Sequence, residues 1–299
     1  MRLVRVLWKG GLLAAHIALG AAAGALLALG PGSRLRRGLR VDERFMRWWS
    51  RTACSILRLR VRRAGAPPAP ASLLVANHVS WLEVVALSSV TPCGFVAKSE
   101  VARWPVIGAL ASSAGTLFLR RGSSVSAAAA TQEAVLRLAS GRSVAVFPEG
   151  TSTDGESVLP FKASFFDAAA RLGCEVQPVA VFYPRGAGDP AVAPFIGDDE
   201  FFPHLLRVLA EPEIVVQLRF AAPVCGHGRE RGELAGSARA AVLDALDQER
   251  RALQLLPDCA PHESPWWWEG DMHGSFLRAE FRRVRPPDLE LAFAQDLRP

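Results

Sequence analysis

A chain of 299 residues is long enough for one large domain with its own core and for short appendages. Half of its residues are hydrophobic and 21% are charged, which excludes both an intrinsically disordered protein and one embedded wholly in a membrane. The formal net charge is +6, and of the 35 basic residues only Lys9, Lys98 and Lys162 are lysines. Such an excess of arginine suits partners that carry phosphate, including lipid headgroups and nucleic acids.

A long uncharged segment lies near the N-terminus. Residues 10–33 contain no Asp, Glu, Lys or Arg, and basic residues flank them on both sides. In a helix, these 24 residues are long enough to cross the roughly 30 Å of bilayer hydrocarbon. A cleaved signal peptide is the alternative, but the basic cluster that follows fits the cytoplasmic side better. We therefore predict a membrane anchor over residues 1–40, at the cytoplasmic face of the inner membrane. A full span and a shallow two-helix insertion both stay open.

The next segment extends the membrane prediction. Over residues 44–61, aromatic and aliphatic side chains recur at helical spacing beside Arg47, Arg51 and Arg58. This composition is typical of a helix in the headgroup region, and an ordinary surface helix is the alternative. We expect no nucleic-acid partner, because the chain has neither a basic strand with interleaved aromatic residues nor a zinc-finger spacing.

The cysteines do not indicate a metal site or a disulfide framework. The five cysteines are scattered and odd in number, and none forms a C-x-x-C pair. An arrangement of Cys225, His227, Cys259 and His262 around zinc is conceivable, but its spacing is too loose to favour it. We expect neither a metal ion nor a cofactor.

The middle of the chain alternates strand and helix patterns. The Pro-rich residues 64–71 are typical of a linker. The predicted strands are 72–76, 94–97, 116–120, 143–147, 176–183 and 214–221, and the clearest helices are 126–140 and 233–255. This alternation predicts an α/β domain over residues 41–256, with a mostly parallel central sheet flanked by helices. Residues 257–299, which include three consecutive tryptophans and a basic run, form a C-terminal extension without a clear period.

A histidine and a glutamate lie where a buried strand turns into an apolar helix, in residues 77–83 (N-H-V-S-W-L-E). On one continuous helix, His78 and Glu83 would point about 140° apart, so they can meet only if His78 lies in the turn before the helix. Ser80-x-x-Glu83 is typical of a capping box, which places the helix start at Ser80. The geometry suits a general base, His78, and the carboxylate that orients it, Glu83. A turn histidine beside a helix cap is the alternative.

Three further segments carry polar residues at strand ends. Residues 115–121 (G-T-L-F-L-R-R) end in two arginines that can hold an anionic group. Residues 144–151 (V-A-V-F-P-E-G-T) turn sharply after a buried strand, where a carboxylate and a hydroxyl can bind substrate hydroxyls and a glycine permits close approach. Pro178 within the predicted strand 176–183 indicates a bend or a sheet edge. Each segment alone is equally typical of an ordinary strand end.

Taken in order, these four segments resemble the glycerolipid acyltransferase family, whose best-known members acylate lysophosphatidic acid. Residues 77–83 fall on the family's N-H-x4-D motif, 115–121 on its second block, 147–151 on its F-P-E-G-T block and Pro178 on its fourth. The resemblance implies acyl transfer from a thioester, acyl-CoA or acyl carrier protein, to the free hydroxyl of a lysolipid. The leading acceptor is 1-acyl-sn-glycerol-3-phosphate, which gives phosphatidic acid. Membrane lipids and this acceptor are the expected partners, and no oligomeric state is predicted.

The resemblance also implies a role for each motif residue. His78 takes the hydroxyl proton, and Glu83 orients the imidazole and stabilises its cation. Lys98 falls where the family often has a phosphate-binding lysine. The implied substrate-binding residues are Asn77, Ser80, Lys98, Arg120, Arg121, Glu149, Gly150 and Thr151.

Two positions depart from the family pattern. Glu83 stands where the family usually has Asp, so the resemblance alone predicts that Glu83→Asp keeps or gains activity. Ser152 stands where Arg usually follows F-P-E-G-T, which leaves a non-phosphate acceptor such as a lyso-ornithine lipid open. Two other classes also stay open: a lipid hydrolase, although no G-x-S-x-G motif occurs, and an inactive membrane-binding module.

Overall fold

Seven strands form one sheet in the order β1-β7-β6-β2-β5-β3-β4. Within this sheet β6 and β7 are antiparallel, and every other neighbouring pair is parallel. The predicted, mostly parallel α/β sheet is thus confirmed. The strands are β1 (Leu59–Ala64), β2 (Leu73–Ala76), β3 (Gly94–Lys98), β4 (Leu117–Leu119), β5 (Val144–Val146), β6 (Val176–Phe182) and β7 (Ile214–Phe220).

The helices cover both faces of the sheet. They are α1 (Arg2–Leu29), α2 (Glu43–Leu57), α3 (Leu82–Val90), α4 (Ile107–Ser113), α5 (Ser124–Ala139), α6 (Asp167–Leu172), α7 (Phe201–Ala210) and α8 (Arg231–Gln254), with short 3-10 helices at Ser99–Arg103 and Ala163–Phe166. The structure is a computed structural model and describes residues 1–29, 43–104, 107–113, 115–120, 122–184 and 192–254. The predicted C-terminal extension lies outside these ranges, and the predicted boundaries of the three regions stay predictions.

The alternation of side chains along β6 explains the two cores. Successive strand residues point to opposite faces of a sheet. Val176 and Ala180 accordingly join the core beneath α5, α6 and α8, whereas Val179 and Val181 join the core beneath α2, α3 and α7. A strand buried on both faces reads as a nearly continuous apolar run, and β6 (V-Q-P-V-A-V-F) is accordingly apolar except at Gln177.

The strand β1 was missed in the sequence, where residues 44–61 were predicted as one helix. The helix α2 ends at Leu57, and Arg58 takes a φ of 58°, in the left-handed region, before the chain enters β1. Leu59 is buried, and Arg60 beside it is exposed. Arginine occupies three of the six positions of this short edge strand. In the sequence, its alternation of buried and exposed residues therefore resembles the polar side of a surface helix.

The apolar helix α1 lies against the domain by one side. Arg5 Nε donates to the carbonyl of Ala210 at 2.7 Å, and Lys9 Nζ donates to the carbonyls of Leu57 and Glu211 at 3.2 and 2.5 Å. These carbonyls end α7 and α2, where helix carbonyls lack partners and attract cations. In the ranges that the structure describes, one helix, over Arg2–Ala22, has the length and composition to cross a membrane. Its other side is apolar and exposed, at Leu3, Val4, Leu7, Trp8, Leu12 and Leu19.

Pro178 does not lie at an edge, as one reading of the sequence expected. The strand β6 is internal, between β7 and β2. Pro178 lies where the pairing of β6 with β7 is interrupted, just before the regular register begins at Val179. The Gln177 side chain bridges this interruption, because its Nε2 donates to the carbonyls of Pro178 and Ala221 at 3.0 and 2.7 Å.

The close packing of β3 against the residues that precede β4 predicts that a larger side chain at Gly94 destabilises the fold. A Cβ atom on Gly94 would lie 2.6 Å from the carbonyl oxygen of Gly115, which also accepts from the Arg137 guanidinium. Gly94→Ala should therefore lower the free energy of unfolding by about 1–3 kcal/mol. The control is Gly236→Ala inside α8, where nothing lies within 4 Å of the added methyl group. It should raise stability by up to about 1 kcal/mol. Urea denaturation of both variants checks this, and equal stability of Gly94→Ala and the wild type would contradict it.

Candidate active site

The predicted site residues follow four neighbouring parallel strands. His78 comes after β2, Glu149 after β5 and Arg120 directly after β4, and Lys98 ends β3. The carboxyl ends of parallel strands meet at one edge of a sheet, where α/β proteins bind ligands. These four residues therefore line one edge, where Lys98 and Arg120 are exposed. Arg121 lies outside the described residues.

His78 and Glu83 are in direct contact. His78 Nδ1 lies 2.9 Å from Glu83 Oε1, and the Glu83 side chain is fully buried. The same oxygen accepts the backbone N–H groups of Val79 and Ser80 at 2.5 and 2.7 Å. The one carboxylate thus serves the helix start and the histidine together, which the sequence presented as competing roles.

The capping box predicted at Ser80 is only half formed. Glu83 reaches back to the Ser80 N–H, but α3 begins at Leu82 with Trp81 as its N-cap, one residue later than predicted. Ser80 Oγ is buried and has no hydrogen-bond partner among the residues that the structure describes. The sequence signature is therefore correct for Glu83 and wrong for the Ser80 hydroxyl. A substrate-binding role of Ser80 stays a prediction.

The contact with Glu83 assigns the tautomer of His78. Because the carboxylate accepts, Nδ1 carries the hydrogen and Nε2 keeps a lone pair. Nε2 has no partner among the described residues, and the side chain is 24% exposed. The ring stacks on Phe147, with centroids 4.2 Å apart and planes 18° apart. The imidazole is held on one side and open on the other, which suits a general base.

Glu149 holds the main chain of His78. Its Oε1 accepts the His78 N–H at 2.7 Å, and its Oε2 accepts the Leu159 N–H at 2.8 Å. The residue is 3% exposed, and burial raises the pKa of its carboxyl although both N–H donors oppose the shift. Both oxygens are thus engaged with backbone, and a direct contact of Glu149 with the acceptor stays a prediction.

Neighbouring loops fix the rest of the histidine turn. The Thr153 N–H donates to the His78 carbonyl at 2.8 Å, and the Phe195 N–H donates to the Val79 carbonyl at 2.9 Å. The buried Asn77 amide exchanges two hydrogen bonds with the backbone of Val181, at 2.8 and 3.0 Å. Asn77 therefore joins the turn to β6, and its predicted contact with substrate stays a prediction.

Two residues with no predicted role lie at the site. The Tyr183 hydroxyl donates to Glu83 Oε2 at 2.8 Å. Lys162 lies over Gly150, and its Nζ would be 2.6 Å from a Cβ atom on that glycine, whose φ is +75°. Gly150 thus permits the close approach of a lysine side chain, and its predicted role in substrate binding stays a prediction. Thr151 beside it is exposed. The signals available were that Tyr183 is the only tyrosine and Lys162 one of three lysines.

The residues that the structure describes contain no cluster of three or more His, Cys, Asp or Glu side chains able to hold a metal ion. Of the four residues considered for zinc, Cys259 and His262 lie outside the described ranges. Cys54, Cys93, Cys174 and Cys225 are free thiols.

Comparisons with known proteins identify the family. The family model described as Acyltransferase matches residues 58–182. The lyso-ornithine lipid O-acyltransferase of Pseudomonas aeruginosa is 39% identical over 249 residues, which cover 82% of this chain and 95% of that protein. The 1-acyl-sn-glycerol-3-phosphate acyltransferase of Neisseria gonorrhoeae is 33% identical, over 63% of this chain and 71% of that protein.

A solved structure shows the same fold. The crystal structure of the 1-acyl-sn-glycerophosphate acyltransferase PlsC from Thermotoga maritima matches with a TM-score of 0.62 at 21% identity, over 84% of this chain and 98% of that one. The family model and the relatives identify the chain as an acyltransferase. The chain belongs to the glycerolipid acyltransferase family, as its motifs indicated.

The double contact of Glu149 predicts the effect of an isosteric change. Glutamine offers one acceptor oxygen and an NH₂ group that cannot accept, so Glu149→Gln leaves the N–H of His78 or of Leu159 without a partner. We expect a loss of about 1–3 kcal/mol in the free energy of unfolding, together with lower activity. Glu133→Gln, which breaks an exposed pair with Arg137, is the control and should change little. Chemical denaturation at pH 7 gives the comparison.

The same carboxyl predicts a pH dependence. Because its pKa is raised on folding, the folded protein keeps this proton to a higher pH than the unfolded chain does. Its contribution to stability is full below the unfolded-state pKa and declines as the pH rises through the folded-state value. Glu149→Gln should remove this part of the slope of stability against pH above about 4.5, the ordinary value. An unchanged slope in the variant would contradict the assignment.

Proposed function

We propose that this acyltransferase moves an acyl group from acyl-CoA or acyl carrier protein to the free hydroxyl of a lysolipid, with His78 as general base. The observation that carries the proposal is the His78–Glu83 contact, which leaves Nε2 open at the ligand-binding edge of the sheet. Nε2 takes the hydroxyl proton while the oxygen attacks the thioester carbonyl. The tetrahedral intermediate then expels the thiolate, which takes the proton back from the imidazolium. Glu83 stabilises that cation, and no acyl-enzyme is required.

For the acceptor we propose a lyso-ornithine lipid, the alternative in the sequence analysis. Two observations support it. A relative named for that acceptor aligns with 95% of its own length. Ser152, where the family usually has a phosphate-binding arginine, donates its hydroxyl to the Phe195 carbonyl and offers no positive charge. The second candidate is 1-acyl-sn-glycerol-3-phosphate, which the Neisseria relative and the exposed cations Lys98, Arg120 and Lys162 favour.

We also propose that the enzyme works at the cytoplasmic face of the inner membrane. The exposed apolar side of α1 supports membrane association, as do Phe45 and Trp48, which are exposed on α2. Apolar and tryptophan side chains of this kind favour the boundary between headgroups and acyl chains. The hydrogen bonds of Arg5 and Lys9 to the domain favour a helix that lies along the protein.

The reaction is tested by replacing the base. His78→Ala should lower kcat at least about 100-fold, because proton transfer by a positioned base contributes that much. The measurement is transfer of a labelled acyl chain from acyl-CoA, and separately from acyl carrier protein, to lyso-ornithine lipid in vesicles. His227→Ala, which removes a distant exposed histidine, is the control. Retained activity of His78→Ala would overturn the mechanism, and fatty-acid release without an acceptor would indicate a hydrolase.

The acceptor is tested at position 152. Ser152→Arg should raise kcat/KM for 1-acyl-sn-glycerol-3-phosphate relative to lyso-ornithine lipid by at least about tenfold, since a charge-assisted hydrogen bond contributes about 1.5–3 kcal/mol. Ser152→Ala removes the same hydroxyl without adding charge, and it should leave the ratio unchanged. A wild-type preference for the phosphate acceptor would contradict the proposed acceptor while leaving acyl transfer intact.

A further inference from the structure

The carboxylate beside His78 has a fourth partner, which lies 100 residues further along the chain. The Tyr183 hydroxyl binds Glu83 Oε2 at 2.8 Å. The other three donors, which are His78 Nδ1 and the N–H groups of Val79 and Ser80, all bind Oε1. Within the described part of the chain, Tyr183 is thus the one group that holds Oε2.

We propose that Tyr183 is a positioning residue for acyl transfer, which fixes the plane of the Glu83 carboxylate against the imidazole of His78. The inference rests on the proposed function, because it assigns Tyr183 a part in that same reaction. Tyr183 acts through Glu83 and not on the reacting atoms. A carboxylate held by one oxygen can pivot about that oxygen, whereas one held by both oxygens has a single orientation.

The alternation of β6 explains why this phenol reaches the site. Val179, Val181 and Tyr183 point to the face of the sheet that carries α3, and Glu83 lies in the first turn of that helix. Asn77 pairs with both backbone groups of Val181, so the histidine turn and the end of β6 have a fixed register. Tyr183 comes two residues after Val181, and its hydroxyl binds the Glu83 oxygen that the turn does not bind.

The longer side chain at position 83 makes a second anchor necessary. Glutamate has one more rotatable bond than the aspartate that the family usually has, and its terminal torsion is broad. The three donors on Oε1 leave rotation about that oxygen open. The Tyr183 hydroxyl removes this freedom, so glutamate and tyrosine together can do what a shorter carboxylate does alone.

The surroundings keep the phenol protonated and therefore a donor. Burial, together with the negative charge of Glu83 and the hydrogen bond to it, raises the pKa of Tyr183 well above its usual value. The other titratable group facing it is the Cys54 thiol of α2. Burial raises the pKa of that thiol to about 11, so it is neutral at pH 7.

The first experiment separates positioning from packing. Tyr183→Phe keeps the ring and removes the donor, and we expect kcat to fall about tenfold with KM for the lysolipid unchanged. The acidic limb of the profile of kcat/KM against pH should move to higher pH, because a carboxylate with one donor fewer favours the imidazolium. The control is Ser88→Ala, which removes another hydroxyl hydrogen bond of α3, to the Val84 carbonyl at 2.7 Å. It should leave kcat and the pH profile unchanged.

A double-mutant cycle tests whether the effect passes through Glu83. Shortening the side chain in Glu83→Asp withdraws the carboxylate by about 1.5 Å, one carbon–carbon bond, and breaks its contact with Tyr183 or with His78. The contacts therefore predict a loss of activity, opposite to the expectation from the resemblance alone. In the Glu83→Asp background, Tyr183→Phe should have little further effect. Effects on kcat that multiply independently would overturn the proposal.

The single tyrosine permits a test that does not depend on activity. Because Tyr183 is the only tyrosine, labelling with ¹³Cζ-tyrosine gives one NMR signal from the full chain. In Glu83→Gln, the chemical shift of that signal at pH 7 should differ from the wild-type value, because the hydrogen bond to a charged carboxylate is gone. An unchanged chemical shift would show that the two side chains are not paired and would overturn the inference.

The outcomes distinguish this inference from the proposed function. If the wild type acylates lyso-ornithine lipid but Tyr183→Phe keeps its kcat and its pH profile, the role of Tyr183 is wrong and the function stands. If the wild type acylates no lysolipid while the NMR chemical shift shows the pair, the proposed function is wrong. The assignment of Tyr183 to that reaction then falls with it.

Discussion

The structure of the site depends on one buried carboxylate. A charged group removed from water is strongly unfavourable unless it is hydrogen-bonded, and Glu83 is fully buried. Its oxygens accept from two backbone N–H groups of the turn, from His78 and from Tyr183. The start of α3, the shape of the turn and the orientation of the imidazole are therefore consequences of the same requirement. A change that displaced this carboxylate would disturb local folding and the proposed proton transfer together.

A second carboxylate anchors the turn from the other side. Glu149 binds the His78 N–H, while Thr153 binds the His78 carbonyl, so both backbone groups of the histidine are held by the loop after β5. Nε2 is the part of His78 left without a partner among the described residues. A base placed on a loop gains precision when its neighbours hold its main chain and its other ring nitrogen.

The sequence correctly predicted those features of the fold and the site that depend on residues close together in the chain. The helix expected at 126–140 is Ser124–Ala139, and the contact of His78 with Glu83 followed from a spacing of five. β1 was missed because its arginines obscure the short alternation of buried and exposed residues. The prediction that Pro178 lies at a sheet edge was wrong because the Gln177 side chain supplies the hydrogen bond that Pro178 cannot donate within the sheet. The contact of Tyr183 with Glu83 joins residues 100 apart, and nothing local to either residue indicates it.

The antiparallel pair in the sheet places the start of the apolar helix α1 near the site. Because β7 runs against β6, the beginnings of β1 and β7 lie at the same edge as the ends of β2 and β6. Arg5 and Lys9 bind carbonyls just before those two beginnings. The first turns of α1, with their exposed apolar side, therefore start at the edge from which His78 projects. In the proposed reaction, a lysolipid keeps its chain in the bilayer while its hydroxyl reaches Nε2, and an apolar surface that begins at that edge shortens the distance between the two.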